Sequence, residues 1–129
     1  MKKFTDLIKE YEDFTALGGV DNDSIEKAEI RLGLKFNDEY KEFLREYGAA
    51  CANAHEFFGI CRFKRLDIVE ETLKAREENS NVPKNLYCIE DIRIDKIKTW
   101  QDESGKLFQT VGNGLPEKIE LTLCKYVET

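Results

Sequence analysis

Residues 24–48 constrain the fold more than any other part of the chain, because they encode two short amphipathic helices in succession. In the first, Ile25, Ala28 and Leu32 are spaced to share one face. In the second, the i, i+3, i+4, i+7 spacing is followed by Tyr40, Phe43, Leu44 and Tyr47. Apolar faces of this kind must be buried, so both helices are predicted to pack on one core.

Start and stop signals delimit the two helices. Asp23, followed three residues later by Glu26, is a capping-box-like start, and Gly33 supplies a left-handed stop. Asn37 is a suitable cap for the second helix, which is predicted to end at Gly48.

The rest of the N-terminal half is predicted to contain two more helices and one extended segment. A helix from Lys3 to Leu17 is followed, after the helix pair, by a small-residue connection at residues 49–54. Residues 56–63 are rich in aromatic and β-branched side chains and predict a strand or bent strand pair. Asp67 then opens a helix that continues to about Glu78.

The second half changes to strand-like patterns. Strands are predicted at residues 86–89, 94–100 and 107–111, with a hairpin loop in which Gly105 takes a positive φ. The tail from Glu117 fits either a helix or a strand, and a helix is favoured. Helices first and strands later predict one α+β domain over residues 1–129, with N-terminal helices packed on a mostly antiparallel, twisted β-sheet.

Charge and hydropathy narrow the class of partner. The 129-residue chain has a formal net charge of −6 and a sequence pI near 5.0. Nucleic acid and anionic membranes both require a positive footprint, so neither is expected as a partner, whereas a basic protein is compatible. No segment approaches the ~18 consecutive apolar residues of a membrane span, and the N-terminus lacks a signal-peptide pattern. A cytoplasmic location is expected.

The residues that could carry chemistry do not form a complete catalytic or metal-binding set. The four cysteines contain no C-x-x-C pair, so no metal or cofactor is predicted. Cys51 and His55 suggest a nucleophile and base, but no oxyanion-hole motif accompanies them. Acidic residues 90, 91 and 95 lack calcium-loop spacing. No enzymatic activity is therefore predicted.

Two short basic patches raise the possibility of single-stranded nucleic-acid binding. One comprises Arg62, Lys64 and Arg65, and the other Arg93, Lys96 and Lys98. Nearby acidic residues offset this charge, and a salt-bridged sheet edge is the favoured interpretation.

The order I-x-x-A-E-x-x-L-G, then a short connection, then D-E-Y-K-E-F-L-x-x-Y-G resembles the SUKH superfamily, also called the Smi/Knr-type domain. Weaker matches are E-F-F-G at residues 56–59 and Trp100 followed by G-x-L-F at residues 105–108. Asn37 and Tyr47 depart from the residues that relatives often have, proline and asparagine respectively. Neither departure removes a catalytic group.

The resemblance implies a protein-binding domain. Many bacterial members are immunity proteins, so the first expectation is that the chain neutralises a cognate toxin, for example a nuclease, by direct stoichiometric binding. The alternative is a regulatory or scaffold domain with an endogenous partner. If the toxin is basic, the expected contact residues are the acidic side chains at the strand ends and turns, namely Glu56, Glu90, Asp91, Asp95, Asp102 and Glu103.

Overall fold

The computed structural model describes residues 2–129. Within them lie five α-helices: α1 (Phe4–Ile8), α2 (Asn22–Leu32), α3 (Asp38–Tyr47), α4 (Ile68–Glu78) and α5 (Leu123–Val127). The same residues form seven strands: β1 (Thr15–Ala16), β2 (Ala50–Ala52), β3 (His55–Phe57), β4 (Tyr87–Asp91), β5 (Ile97–Gln101), β6 (Leu107–Val111) and β7 (Glu117–Ile119).

The strands build two antiparallel sheets in chain order. The first contains β1, β2 and β3, and the second contains β4, β5, β6 and β7. The sheets meet just after β3, where the backbone N–H of Phe58 donates to the carbonyl oxygen of Ile89 at 2.8 Å. Helices and antiparallel sheets in one unit confirm the predicted α+β fold.

The central helix pair forms as predicted, with one correction at its start. The side chain of Asp21, not Asp23, caps α2 by accepting a hydrogen bond from the backbone N–H of Ser24 at 2.9 Å. Gly33 ends α2 with φ 70°, the left-handed value expected of a helix stop. Asn37 caps α3 by accepting from the backbone N–H of Glu39 at 3.0 Å.

Aromatic side chains occupy the space between α1, α3 and the two sheets. Phe43 is fully buried, and its ring lies 5.7 Å from that of Tyr40 and 5.8 Å from that of Phe4. The buried phenols have hydrogen-bond partners: Tyr40 donates to the Phe58 carbonyl oxygen at 2.7 Å, and Tyr87 donates to Gln101 Oε1 at 2.7 Å. The core is therefore apolar without leaving these hydroxyls unpaired.

A backbone crossing fixes the distance between the end of α3 and the end of β3. A Cβ atom at Gly59 would lie 1.6 Å from the carbonyl oxygen of Gly48, far inside contact distance. The same carbonyl accepts a hydrogen bond from the backbone N–H of Ile60 at 3.0 Å. Glycine at position 59 is needed because two chains pass there without room for a side chain.

Five predicted segments differ from the structure. The extended segment at residues 56–63 is a strand only as far as Phe57, and the strand at residues 94–100 begins at Ile97. The first helix ends at Ile8 rather than Leu17, and residues 15–16 form β1 instead. The expected connection at residues 49–54 contains β2, which pairs with β3 as a hairpin. The tail contains both a strand, β7, and the helix α5. Gly105 has the predicted positive φ, 94°.

Two tight turns place non-glycine residues in the left-handed region. In the β2–β3 hairpin Asn53 and Ala54 have φ 50° and 65°, and in the β4–β5 loop Asp95 and Lys96 have φ 56° and 58°. Two successive positive φ values match the type I′ turn, whose twist suits a two-residue hairpin. At the first of these turns the Asp13 carboxylate accepts both backbone N–H groups, of Asn53 and Ala54, at 2.7 Å each. These two hydrogen bonds lower the pKa of Asp13.

Replacing Phe43 by alanine should lower the free energy of unfolding by about 3–5 kcal/mol, because it removes buried apolar area and leaves a cavity. Chemical denaturation measures this loss. The exposed Ile30 is the matched control, since truncating it to alanine should shift the midpoint little. An unchanged midpoint for Phe43→Ala would contradict the packing described for α3.

Ala54→Gly should stabilise the protein by roughly 0.5–1 kcal/mol, because glycine takes positive φ without the steric cost of a Cβ atom. The same substitution at Ala28, inside α2, should instead destabilise by about 1 kcal/mol. Thermal unfolding of both variants tests the opposite signs, and destabilisation by both would rule out strain at position 54.

Candidate functional site

Five of the six acidic residues expected to contact a partner lie at two separate ends of the four-stranded sheet, and Glu56 lies in β3 of the other sheet. Asp91 is paired with Lys98 near the start of β5, whereas Asp102 follows the last residue of that strand. The four residue steps from 98 to 102 span about 13 Å along an extended strand. The six carboxylates therefore do not form one continuous acidic surface.

Glu90 is not a surface residue, contrary to its expected place among the exposed contact side chains. The residue is only 4% exposed. One carboxylate oxygen, Oε2, accepts the backbone N–H of Glu56 at 2.8 Å, while Oε1 lies 2.8 Å from His55 Nδ1 and accepts the hydroxyl of Tyr126. A carboxylate removed from water requires such partners, so Glu90 has a structural role.

The Glu90 carboxylate lies at the centre of a buried polar network. The Tyr126 hydroxyl also lies 2.9 Å from Thr99 Oγ1, and Gln109 Nε2 donates to that same oxygen at 3.2 Å. A second contact to α5 comes from Asn53, whose side-chain N–H donates to the carbonyl oxygen of Val127 at 2.8 Å. The network thus joins the β2–β3 hairpin, the four-stranded sheet and the C-terminal helix.

Glu56 and Asp91 lie near the surface but are held by arginines. Glu56 accepts two guanidinium N–H groups of Arg65 at 3.1 and 3.3 Å, and Arg93 Nε lies 3.5 Å from it. Asp91 accepts the backbone N–H of Arg93 at 2.8 Å and lies 4.0 Å from its guanidinium. Their charge is largely neutralised locally, which reduces their value as acidic contact residues.

The other three acidic side chains are not held by arginines. Asp95 is exposed in the β4–β5 turn. Asp102 is half-buried and accepts the Ser104 hydroxyl at 2.7 Å and the backbone N–H of Lys106 at 2.9 Å, so it shapes the β5–β6 turn. The Glu103 side chain is exposed, while its carbonyl oxygen accepts Asn37 Nδ2 at 3.1 Å.

The suggested Cys51–His55 pair is not assembled. Cys51 is paired with Glu56 across the hairpin and Ala52 with His55, so Cys51 and His55 lie on opposite faces. The Nδ1 atom of His55 is already engaged with Glu90. Burial raises the pKa of the Cys51 thiol, which disfavours the thiolate that a nucleophile requires.

Glu90, Asp91 and Asp95 do not converge either, since the first faces the interior and the second faces Arg93. Within residues 2–129, no three His, Cys, Asp or Glu side chains are gathered as they would be around a metal ion. None of the helices in that range is long and apolar enough to cross a bilayer.

The exposed surface contains residues that the sequence prediction did not select. Phe63 is 47% exposed, beside Arg62, whose guanidinium carbon lies 5.3 Å from the centre of its ring. Ile94 is 64% exposed in the β4–β5 turn. The sequence did contain a signal for the exposure of Phe63. The run R-F-K-R at residues 62–65 places an aromatic residue among cations, without the spacing of a buried helix or strand face.

A comparison with protein families gives a match that agrees with this architecture. The model of the SUKH_5 family, described as SMI1-KNR4 cell-wall, matches residues 1–111. The chain belongs to the SUKH family. No curated protein gives a significant match.

The SUKH match includes both sheets as far as β6. Strand β7 and helix α5 follow the matched region. Tyr126, which donates to Glu90, therefore lies outside the matched residues while its acceptor lies inside them. The C-terminal segment completes the buried network of this SUKH chain.

The buried tyrosines predict a loss of stability at high pH. Burial raises the pKa of Tyr126, and the adjacent Glu90 charge raises it further; burial also raises the pKa values of Tyr40 and Tyr87. Above pH ~10 an unfolded tyrosine loses its proton while the folded one keeps it. The unfolded state then binds fewer protons, so the free energy of unfolding falls as pH rises, by up to ~1.4 kcal/mol per pH unit for each such residue.

Tyr126→Phe should make this alkaline decline shallower by about one residue's contribution, in urea unfolding measured between pH 8 and 11. At pH 7 the same variant should be less stable by about 1–3 kcal/mol, because Glu90 loses a hydrogen-bond donor. An unchanged slope above pH 10 would contradict the buried position of this phenol.

Proposed function

We propose that this SUKH chain is an immunity protein that neutralises a cognate toxin by direct, stoichiometric binding. The observation that carries the proposal is the family match over residues 1–111, because the resemblance of the helix-pair motif to bacterial immunity members already implied this role. Inhibition by binding requires a rigid surface that covers the toxin, without a nucleophile or a proton transfer.

The rigidity of the domain supports this mode of action. Buried aromatic rings and the Glu90 network hold the two sheets and α5 in one arrangement. A preorganised surface loses little conformational entropy on binding, so more of the contact free energy appears as affinity. Cys51 and His55 lie on opposite faces of the hairpin, which also favours a binding role over a hydrolase that uses them as nucleophile and base.

The net charge of the chain is expected to affect the rate of association with the toxin. A net charge of −6 supports attraction of a basic toxin domain at a distance, which raises the association rate and weakens with added salt. The exposed Asp95 and Glu103 are the expected residues best placed to take part.

The second candidate is a regulatory or scaffold domain with an endogenous partner. The one observation that favours it is the description of the matched family, which refers to the cell wall. A scaffold of this kind would also bind protein without catalysis, so the two candidates differ in the partner rather than in the type of contact.

The proposed function predicts protection of cells from a toxin encoded beside the gene for this chain. The C-terminal domain of the neighbouring gene product should arrest growth when expressed alone, and co-expression of this chain should restore growth. Size-exclusion chromatography with light scattering should then show a complex of the two proteins in a fixed ratio.

Ile30→Ser is a suitable control, because Ile30 is 78% exposed on α2 and its replacement should leave the fold unchanged. Growth arrest that persists despite folded, abundant immunity protein would contradict the proposal. A neighbouring gene without a toxin domain, together with binding to a cell-wall regulator, would favour the scaffold candidate.

A further inference from the structure

Two loops in contact at one end of the molecule present five exposed cationic side chains. Residues 60–66 follow β3, and residues 92–96 connect β4 to β5. They are in contact, because the Arg93 guanidinium donates to the carbonyl oxygen of Arg65 at 3.3 Å and both arginines share Glu56. We define the basic ridge as the five cationic side chains Arg62, Lys64, Arg65, Arg93 and Lys96.

The ridge exposes more positive than negative charge. Its five cations are balanced in number by five nearby carboxylates, those of Glu56, Asp67, Glu71, Asp91 and Asp95. All five cations are exposed, whereas Asp95 is the one exposed carboxylate among those five. Arg65 and Arg93 are paired with carboxylates, whereas Arg62, Lys64 and Lys96 have none within ion-pair distance among residues 2–129.

Apolar groups are exposed among these cations. The Phe63 ring and the Ile94 side chain are the two large exposed hydrophobic groups of these loops. Beside Phe63 is a groove of about 460 Å³, lined mainly by Leu17, Val20 and Ile60. Aromatic and arginine side chains beside an apolar recess are the composition typical of binding hot spots.

The turn that presents Ile94 is held rigidly in a strained conformation. Arg93, Asp95 and Lys96 all have positive φ, which costs non-glycine residues free energy. Backbone hydrogen bonds hold the loop on both sides: Ile97 N–H donates to Ile94 O at 3.2 Å, and Gly112 N–H donates to Lys96 O at 3.0 Å. Ile94 is thus preorganised for contact rather than free to fold back.

We propose that the basic ridge, with Phe63 and Ile94, is the contact surface for an acidic patch on a partner protein. Carboxylates of the partner would bind the unpaired Arg62, Lys64 and Lys96, with the guanidinium of Arg62 able to take one in a bidentate manner. Apolar partner side chains would cover Phe63 and enter the adjoining groove. Opposite local charges then fix the register of the complex, while the apolar contacts slow dissociation.

A nucleic acid suits this surface less well than a protein does. Its continuous phosphates would meet five carboxylates around the ridge and a net charge of −6 on the rest of the chain. A protein can place single carboxylates opposite single cations and apolar side chains opposite Phe63 and Ile94. Charge complementarity therefore favours a protein partner.

The inference rests on the proposed function only in that the partner is a protein. It adds that the partner is locally acidic at the contact, even if its overall charge is basic. It also moves the expected contact from the carboxylates of Glu56 and Asp91 to the cations beside them.

The test uses the ¹⁵N-labelled full chain and three probes in separate NMR titrations. The first probe is a synthetic peptide in which Glu and Asp alternate with Leu and Phe; the second replaces every acidic residue of that peptide by Lys; the third is a 12-nucleotide single-stranded DNA. The acidic peptide should shift the amide resonances of residues 62–65 and 93–96, and the lysine peptide should leave them unchanged.

A matched pair of double variants assigns the binding to the ridge. Arg62→Ser with Phe63→Ser removes one arginine and one exposed apolar side chain, and should weaken binding of the acidic peptide at least ~10-fold. Arg31→Ser with Ile30→Ser makes the same chemical change on α2, where both side chains are exposed, and should leave the affinity unchanged. Both pairs are on the surface, so both variants should fold.

Each outcome has a defined meaning. The proposal would be overturned by resonance shifts confined to other residues, by the absence of shifts, or by equal losses of affinity in both double variants. Tighter binding of DNA than of the acidic peptide at the ridge would also overturn it and would indicate a nucleic-acid partner. If the toxin is bound equally well by the ridge variant, the ridge inference fails while the immunity function stands. If no toxin is bound but the acidic peptide still occupies the ridge, the immunity function fails and the inference stands.

Discussion

The buried carboxylate of Glu90 is the interaction on which the arrangement of the domain depends. A carboxylate shielded from water is costly unless donors surround it. Here they come from His55 and Glu56 in β3 and from Tyr126 in α5, two parts of the chain far apart in sequence. Only one relative placement of the β2–β3 hairpin, the four-stranded sheet and α5 brings those donors together. Apolar packing alone tolerates small shifts, whereas this set of directed hydrogen bonds does not. The result is a domain whose binding surface has one defined shape.

The sequence predicted the helices better than the hairpins, for a physical reason. Helices α3 and α4 have a clear apolar face, and their Asn37 and Asp67 caps are local signals that a linear pattern contains. The β2–β3 hairpin lacks the Asn-Gly or Asp-Gly pair typical of a type I′ turn and uses Asn53 and Ala54 instead. Its turn is supported by Asp13, a residue 40 positions away from Asn53. A contact over that separation is not visible in a local window.

The surroundings of the charged residues are harder to predict than the helices, because charge in a sequence does not reveal its pairing. Glu90 and Asp91 are adjacent and chemically alike, yet the first is buried against Tyr126 and the second faces solvent and Arg93. Strand alternation and the irregular register between β4 and β5 decide which way each points. Once the arginines are placed, the end of the molecule that holds Glu56, Asp91 and Asp95 exposes five cations as well. Composition gives the total charge but not which charges face solvent.

The crossing of Gly48 and Gly59 has a consequence for mapping the surface by mutation. Alanine substitution is usually treated as the removal of a side chain, but at Gly59 it adds an atom where another backbone already lies. A systematic alanine scan would therefore record a loss of binding at position 59 that arises from displacement of α3 relative to β3. The position lies close in sequence to Arg62 and Phe63, so the loss would resemble the edge of a genuine epitope. Alanine-scanning data from this region can be interpreted only when the fold of each variant is measured as well as its affinity.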